Sequence, residues 1–175
     1  MIHLRTVATE LHVRDDRVLA GLVMPYGVSA DIIEAGHHYR EQFARGAFKA
    51  DVQRAGEVEL TATHPRSDAE LPIGITVTLT DLEDGLHGEW RISQTTFGDD
   101  VLQLVKDKAL RSLSAGFVEG RNQWTGNTAV LRLSASLDHV ALVRRGAYPQ
   151  AQLMRARTGT APAVDPWRLV LRRRA

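Results

Sequence analysis

Seven histidines and no cysteine set the chemistry open to this chain. Without a thiol there is no disulfide framework, no thiol nucleophile and no cysteine-ligated zinc or iron–sulfur site. Histidines alone can hold a metal only when spacing brings them to one point. Here His37 and His38 are adjacent and diverge on a helix or a strand, no H-E-x-x-H occurs, and no two histidines sit four apart on a helix. No metal and no cofactor are expected. His3, His12, His37, His38 and His87 read as surface or turn residues. His64 and His139 differ, because each falls in an alternating apolar run. His64 is in phase with Val58, Leu60 and Ala62; His139 is in phase with Leu131, Leu133, Ala135, Leu137, Ala141 and Val143. An imidazole on an apolar face needs a partner, most often a backbone carbonyl. The partner of interest here is a hydroxyl. In Arg111-Ser112-Leu113-Ser114-Ala115-Gly116-Phe117, the apolar residues Leu113, Ala115 and Phe117 share one face, and Ser112 and Ser114 share the other. Gly116 allows a backbone or substrate to approach closely. A serine within reach of a neutral imidazole is an activated nucleophile. No G-x-S-x-G elbow is present, which argues against an α/β-hydrolase.

The elements that must carry these residues are mostly strands. Leu4 to Val13 is rich in Val, Thr and Leu, and Asp15-Asp16 marks a turn before a second strand from Arg17 to Tyr26. Tyr39 to Phe43 reads as a short strand, and Gly46-Ala47-Phe48 opens a helical stretch that Gly56 stops. Glu57 to His64 alternates with period two, as does Ile73 to Leu79, and Asp84-Gly85 turns the chain between antiparallel partners within Leu82 to Ile92. One helix stands out. Thr96 and Asp99 resemble a capping box, Val101, Leu102, Leu104 and Val105 form an apolar side, and Lys106 and Lys108 suit the C-terminal end of the dipole. Leu110 to Val118 and Ala129 to Val143 read as two further strands, joined by a turn or exposed loop from Glu119 to Thr128.

The chain has 175 residues, 43% apolar and 25% charged, which suits one globular domain able to bury its own core. No apolar run is long enough to span a bilayer, and the first residues lack the apolar centre of a signal peptide, so the expected location is the cytoplasm. Net charge is +1, but it is unevenly spread: residues 155–175 carry +5 and residues 1–154 carry −4. The body has no basic stripe, so no specific nucleic-acid partner is expected, and a DNA-associated role would rest on the tail alone. Residues 1–154 are read as the domain. Residues 155–175, rich in Pro, Ala and Arg, are read as a flexible basic tail. The tail has three readings: a loose end, a self-cleaved segment, or a dock using Trp167, Leu169, Val170 and Leu171 with Arg172 to Arg174.

Four segments, in order, resemble the prohead proteases of tailed bacteriophages. Tyr39-Arg40-Glu41-Gln42-Phe43-Ala44-Arg45-Gly46-Ala47-Phe48 is similar to the family's E-x-F-x-x-G-A-F segment. His64 followed by Leu71-Pro72-Ile73-Gly74 resembles its histidine motif, and Leu113-Ser114-Ala115-Gly116-Phe117 its S-x-G-F nucleophile strand. Leu137 to Val143, with Ala147-Tyr148, resembles its closing strand. The likeness runs from about Arg17 to Met154. It implies a mainly β (α+β) fold like that of the herpesvirus capsid-maturation protease, a β-barrel surrounded by a few helices. It also implies a serine endopeptidase with Ser114 as nucleophile, His64 as base and His139 as third member. Many phage members have a carboxylate at that last position, whereas the herpesvirus-type site uses a second histidine. Strand alternation points the neighbouring Asp138 to the opposite face, which favours His139. Arg144 and Arg145 resemble the arginine pair that serves the oxyanion in herpesvirus-type proteases, with Gly116 nearby. A neutral histidine in the third place implies a slow peptidase, tolerable where enzyme and substrate are packed inside a shell. The implied partners are the major capsid protein precursor and its scaffold segment, with a homodimer possible by analogy and no membrane. The implied setting is the assembling procapsid within the host bacterial cytoplasm. The competing reading is a catalytically inactive assembly or scaffolding factor with the same fold.

Overall fold

A computed structural model describes residues 2–8, 11–14, 17–34, 36–64 and 71–144. The tail from 155, Arg145, and the Ala147-Tyr148 pair lie outside the described residues. Twelve strands are described, with one α-helix and one 3-10 helix. In chain order they are β1 (Ile2–Ala8), β2 (His12–Arg14), β3 (Val18–Pro25), β4 (Ser29–Glu34), β5 (His37–Phe43), the 3-10 helix (Asp51–Glu57), β6 (Glu59–Thr61), β7 (Gly74–Asp81), β8 (Gly85–Ile92), α1 (Thr96–Lys106), β9 (Ser112–Glu119), β10 (Asn122–Thr125), β11 (Ala129–Arg132) and β12 (Ala135–Val143). The mainly β expectation holds.

Eight strands form one sheet in the order β1-β9-β12-β6-β7-β8-β3-β2, and four form a second in the order β10-β11-β5-β4. The large sheet curls into a half-barrel, so that β3 packs against β9 and β1 without joining them by ladder bonds. Its inner face holds the core. Leu19, Leu60, Leu86, Trp90, Leu113, Phe117 and Val140 are all fully buried there. Phe43, Phe48 and Phe117 form an aromatic cluster with centroids 5.3–6.0 Å apart, which joins the two sheets. Edge-to-face rings add to the burial of their apolar area. The Gly46-Ala47-Phe48 segment is thus a wedge of core. Gly46 adopts a φ of +74°, and the Ala47 carbonyl accepts from the Ala135 N–H at 2.9 Å.

A buried ionic network ties the same sheets together. Glu41, fully buried on β5, accepts from Arg5 on β1 and from Arg132 on β11, the latter at 2.8 Å. Arg132 also bonds Glu119, and Arg5 reaches Glu34 and the Tyr39 hydroxyl. Burial would raise the Glu34 carboxyl, but bonds from Tyr39, Arg5 and His3 outweigh it and hold it at about 2.

Several expected boundaries move. The first strand splits into β1 and β2. The stretch Glu119 to Thr128, expected as a loop, contains β10, which pairs with β11. Helix α1 is capped by Thr95 rather than Thr96, the Thr95 hydroxyl accepting from Gly98 N–H at 3.0 Å. The run Ala129 to Val143 is two strands in different sheets, broken at Leu133-Ser134.

Candidate functional site

Strand β9 lies between β1 and β12, so a side chain on its outer face is flanked on both sides. Leu113, Ala115 and Phe117 point into the core. By alternation, Ser112, Ser114 and Gly116 face outward. Register sets Ser114 opposite Thr6 on β1 and Ala141 on β12, and Gly116 opposite Leu4 and His139.

His139 reaches that outer face through an irregularity. Leu137 pairs with Phe117, yet His139 pairs with the next residue, Gly116, so Asp138 is an extra residue in the ladder. A β-bulge of this kind re-aims the side chains beyond it. Up to Leu137 the odd-numbered residues of β12 face the core; past the bulge, Val140 and Leu142 do. This corrects the expected phase, in which His139 shares a face with Leu137. It also corrects the expectation that Asp138 points away from His139. With the ladder opened, Asp138 Oδ2 lies 2.8 Å from His139 Nδ1. Gly116 makes room for the ring: a Cβ at this position would fall 2.2 Å from His139 Cε1. The residue expected to admit a substrate admits the second imidazole.

His64 is not on a strand. The run expected from Glu57 begins as 3-10 helix, and β6 ends at Thr61. Its pairing with β7 covers only Glu59 and Leu60, and Pro65 cannot donate to a ladder. His64 follows as irregular backbone, free of strand alternation, and its ring lies over the outer face. His64 Nε2 is 2.7 Å from Ser114 Oγ, and His64 Nδ1 is 2.9 Å from His139 Nε2. The two rings meet edge to face at 72°, centroids 5.2 Å apart. Burial first, and His139 second, lower the His64 pKa from its ordinary value, which keeps the ring neutral. A neutral ring is what a general base requires.

Thr6 carries no mark in the sequence, yet it belongs to the site. Its hydroxyl donates to Ser114 Oγ at 2.8 Å. Ser114 has no exposed surface and His139 is 5% exposed, whereas His64 is half-buried. Beside His64 opens a cavity of about 490 Å³ walled by Ala62, Leu110, Leu142 and Val143, with Thr63 and Arg144 also lining it. Arg144 thus lines the same cavity as His64, and its carbonyl accepts from Arg111 Nε at 3.3 Å. Among the described residues, no group of three or more His, Asp or Glu side chains is arranged to hold a metal ion.

A hydroxyl, two imidazoles and a carboxylate in unbroken hydrogen-bond contact form an arrangement suited to nucleophilic catalysis. The family comparison points the same way. A family model described as caudovirus prohead serine protease matches residues 4–163, and the chain belongs to that family. Among solved structures, the fold is similar to that of the bacteriophage T4 capsid assembly protease, gp21, with a TM-score of 0.58. The two share 10% identity over 81% of this chain and 95% of that one, a likeness of fold. No curated protein matches the chain in sequence.

Proposed function

We propose that this chain is a serine endopeptidase that cleaves the capsid precursor or its scaffold segment inside an assembling procapsid, and that it also cleaves itself. One observation carries the reading: a neutral imidazole nitrogen lies 2.7 Å from the Ser114 hydroxyl. Membership of the prohead protease family, and the fold shared with a capsid assembly protease, support capsid proteins as the substrate class.

In the proposed reaction Ser114 Oγ bonds to the scissile carbonyl carbon while His64 Nε2 takes its proton. The tetrahedral intermediate collapses as the C–N bond breaks, and His64 returns the proton to the leaving amine. Water, deprotonated by the same nitrogen, then hydrolyses the acyl-enzyme on Ser114. His139 holds His64 in position. Arg144 and Arg145 serve the oxyanion, and Arg144 lines the cavity at His64. The apolar walls next to His64 suit an apolar substrate side chain.

The second reading, an inactive assembly factor, draws on the complete burial of Ser114. Co-expression with the cognate capsid protein separates the two. The peptidase reading expects capsid processing by the wild type and none by Ser114→Ala. Equal processing in both would leave only the assembly role.

A further inference from the structure

We propose that Asp138 is a positioning residue that fixes the direction of the whole hydrogen-bond chain from Ser114 through both histidines. The inference rests on the peptidase reading above and concerns how its base is kept competent.

A carboxylate only accepts hydrogen bonds. With Asp138 Oδ2 at 2.8 Å, His139 carries its proton on Nδ1. Its Nε2 is then an acceptor, and the ring nitrogen 2.9 Å away, His64 Nδ1, must be the donor. His64 Nε2 is left with a free lone pair, aimed at Ser114 Oγ at 2.7 Å. Each tautomer is set by the bond made on the other side of the ring. At the far end, the Thr6 hydroxyl donates to Ser114 Oγ and leaves the serine proton to point at His64. The chain thus runs one way: Thr6 to Ser114 to His64 to His139 to Asp138.

Without the carboxylate the two histidines could satisfy each other equally well in reverse. His139 would then donate from Nε2 to His64 Nδ1, and His64 would donate from Nε2 to Ser114. In that state the base already holds a proton where it must receive one. Asp138 removes the reversed state. It also sets a negative charge behind the pair, which a lone second histidine cannot do.

The bulge exists at Asp138 itself, so the residue that re-aims His139 is the one that bonds it. Other charged groups surround the pair. Glu59 on β6 is in register with His139, Arg54 of the 3-10 helix donates to the Leu137 carbonyl at 3.2 Å, and Arg144 lines the cavity at His64. Asp138 is the one bonded to His139 Nδ1.

The test uses the full chain and a fluorophosphonate, which modifies an activated serine without any knowledge of the natural substrate. Labelling rates are measured against pH for wild type, Asp138→Asn and Asp138→Glu. An amide both donates and accepts, so Asp138→Asn mixes the two directions. Its rate should fall about ten- to hundredfold, less than when a carboxylate bonded directly to the base is lost. Its acid limb should move to lower pH, because the charge favouring the imidazolium is gone, and Asp138→Glu should recover part of the rate. A purely structural role would not move that limb. Imidazole nitrogen NMR of the wild type gives a second readout, with both His64 and His139 protonated on Nδ1. Wild-type labelling kinetics in Asp138→Asn, with an unmoved acid limb, would overturn the proposal. So would a His139 protonated on Nε2 in the wild type, and this second readout stands even if the variant unfolds. A folded wild type that never labels would instead sink the peptidase reading, while the NMR tautomers still decide the direction.

Discussion

His64 is the residue whose surroundings matter most to the chemistry. It sits half-buried, with one nitrogen on a hydroxyl and the other on a second imidazole. Burial and the neighbouring His139 both disfavour its charged form. The sign follows directly: the ring stays neutral, and able to accept the serine proton, to lower pH than an ordinary histidine. The rate of fluorophosphonate labelling should therefore lose half its plateau below pH 6.5, the ordinary histidine value. A midpoint above 6.5 would contradict the burial argument.

At the scale of elements, two departures from regular structure build the site. One is the end of β6 at Thr61, which frees His64 from alternation. The other is the bulge at Asp138. The second explains why the site is legible only in part. Ser114 can be placed from sequence because β9 alternates strictly, with Leu113, Ala115 and Phe117 inward. Residue type and resemblance single out His139, but period two puts it on the wrong face, since it admits no extra residue. The same rule turns Asp138 away from its partner. Thr6 carries no local signal at all: it is a threonine in a strand, 108 residues from the serine it touches. Gly116 offers a test at this scale. In Gly116→Ala the new methyl meets the His139 ring, so the ring must shift while β9 keeps its pairing. Displacing a catalytic array by about 1 Å costs on the order of 100-fold in rate. Labelling should fall by that order with the far-ultraviolet dichroism unchanged. Full labelling would show that the ring's seat on Gly116 is dispensable.

Across the whole molecule, the two sheets are held by the aromatic cluster and by Glu41 between two arginines. The alternating runs identify most strands. They cannot show that β11 and β12 belong to different sheets, because sheet membership depends on partners distant in sequence. Nor can they show that Arg5 and Arg132 converge on one buried carboxylate. Breaking a buried ion pair on one side costs about 3–5 kcal/mol, because it strands the partner charge. Glu41→Ala takes the fully buried acceptor from two guanidinium groups, which keep Glu119 and Glu34 as partners, so denaturant unfolding should show a loss near the lower end of that range, about 3 kcal/mol. A loss under about 1 kcal/mol would mean that water reaches the site and screens it. Because β1 and β9 carry both this network and the Thr6–Ser114 contact, the same variant should also slow labelling.

Activation of Ser114 by His64 is the step on which the proposed chemistry depends. The most direct measurement is the site and rate of fluorophosphonate modification in the intact chain, located by peptide mass spectrometry. A single adduct on Ser114, abolished by His64→Ala, is the expected result. An unmodified Ser114, or an adduct that forms equally well without His64, would contradict it.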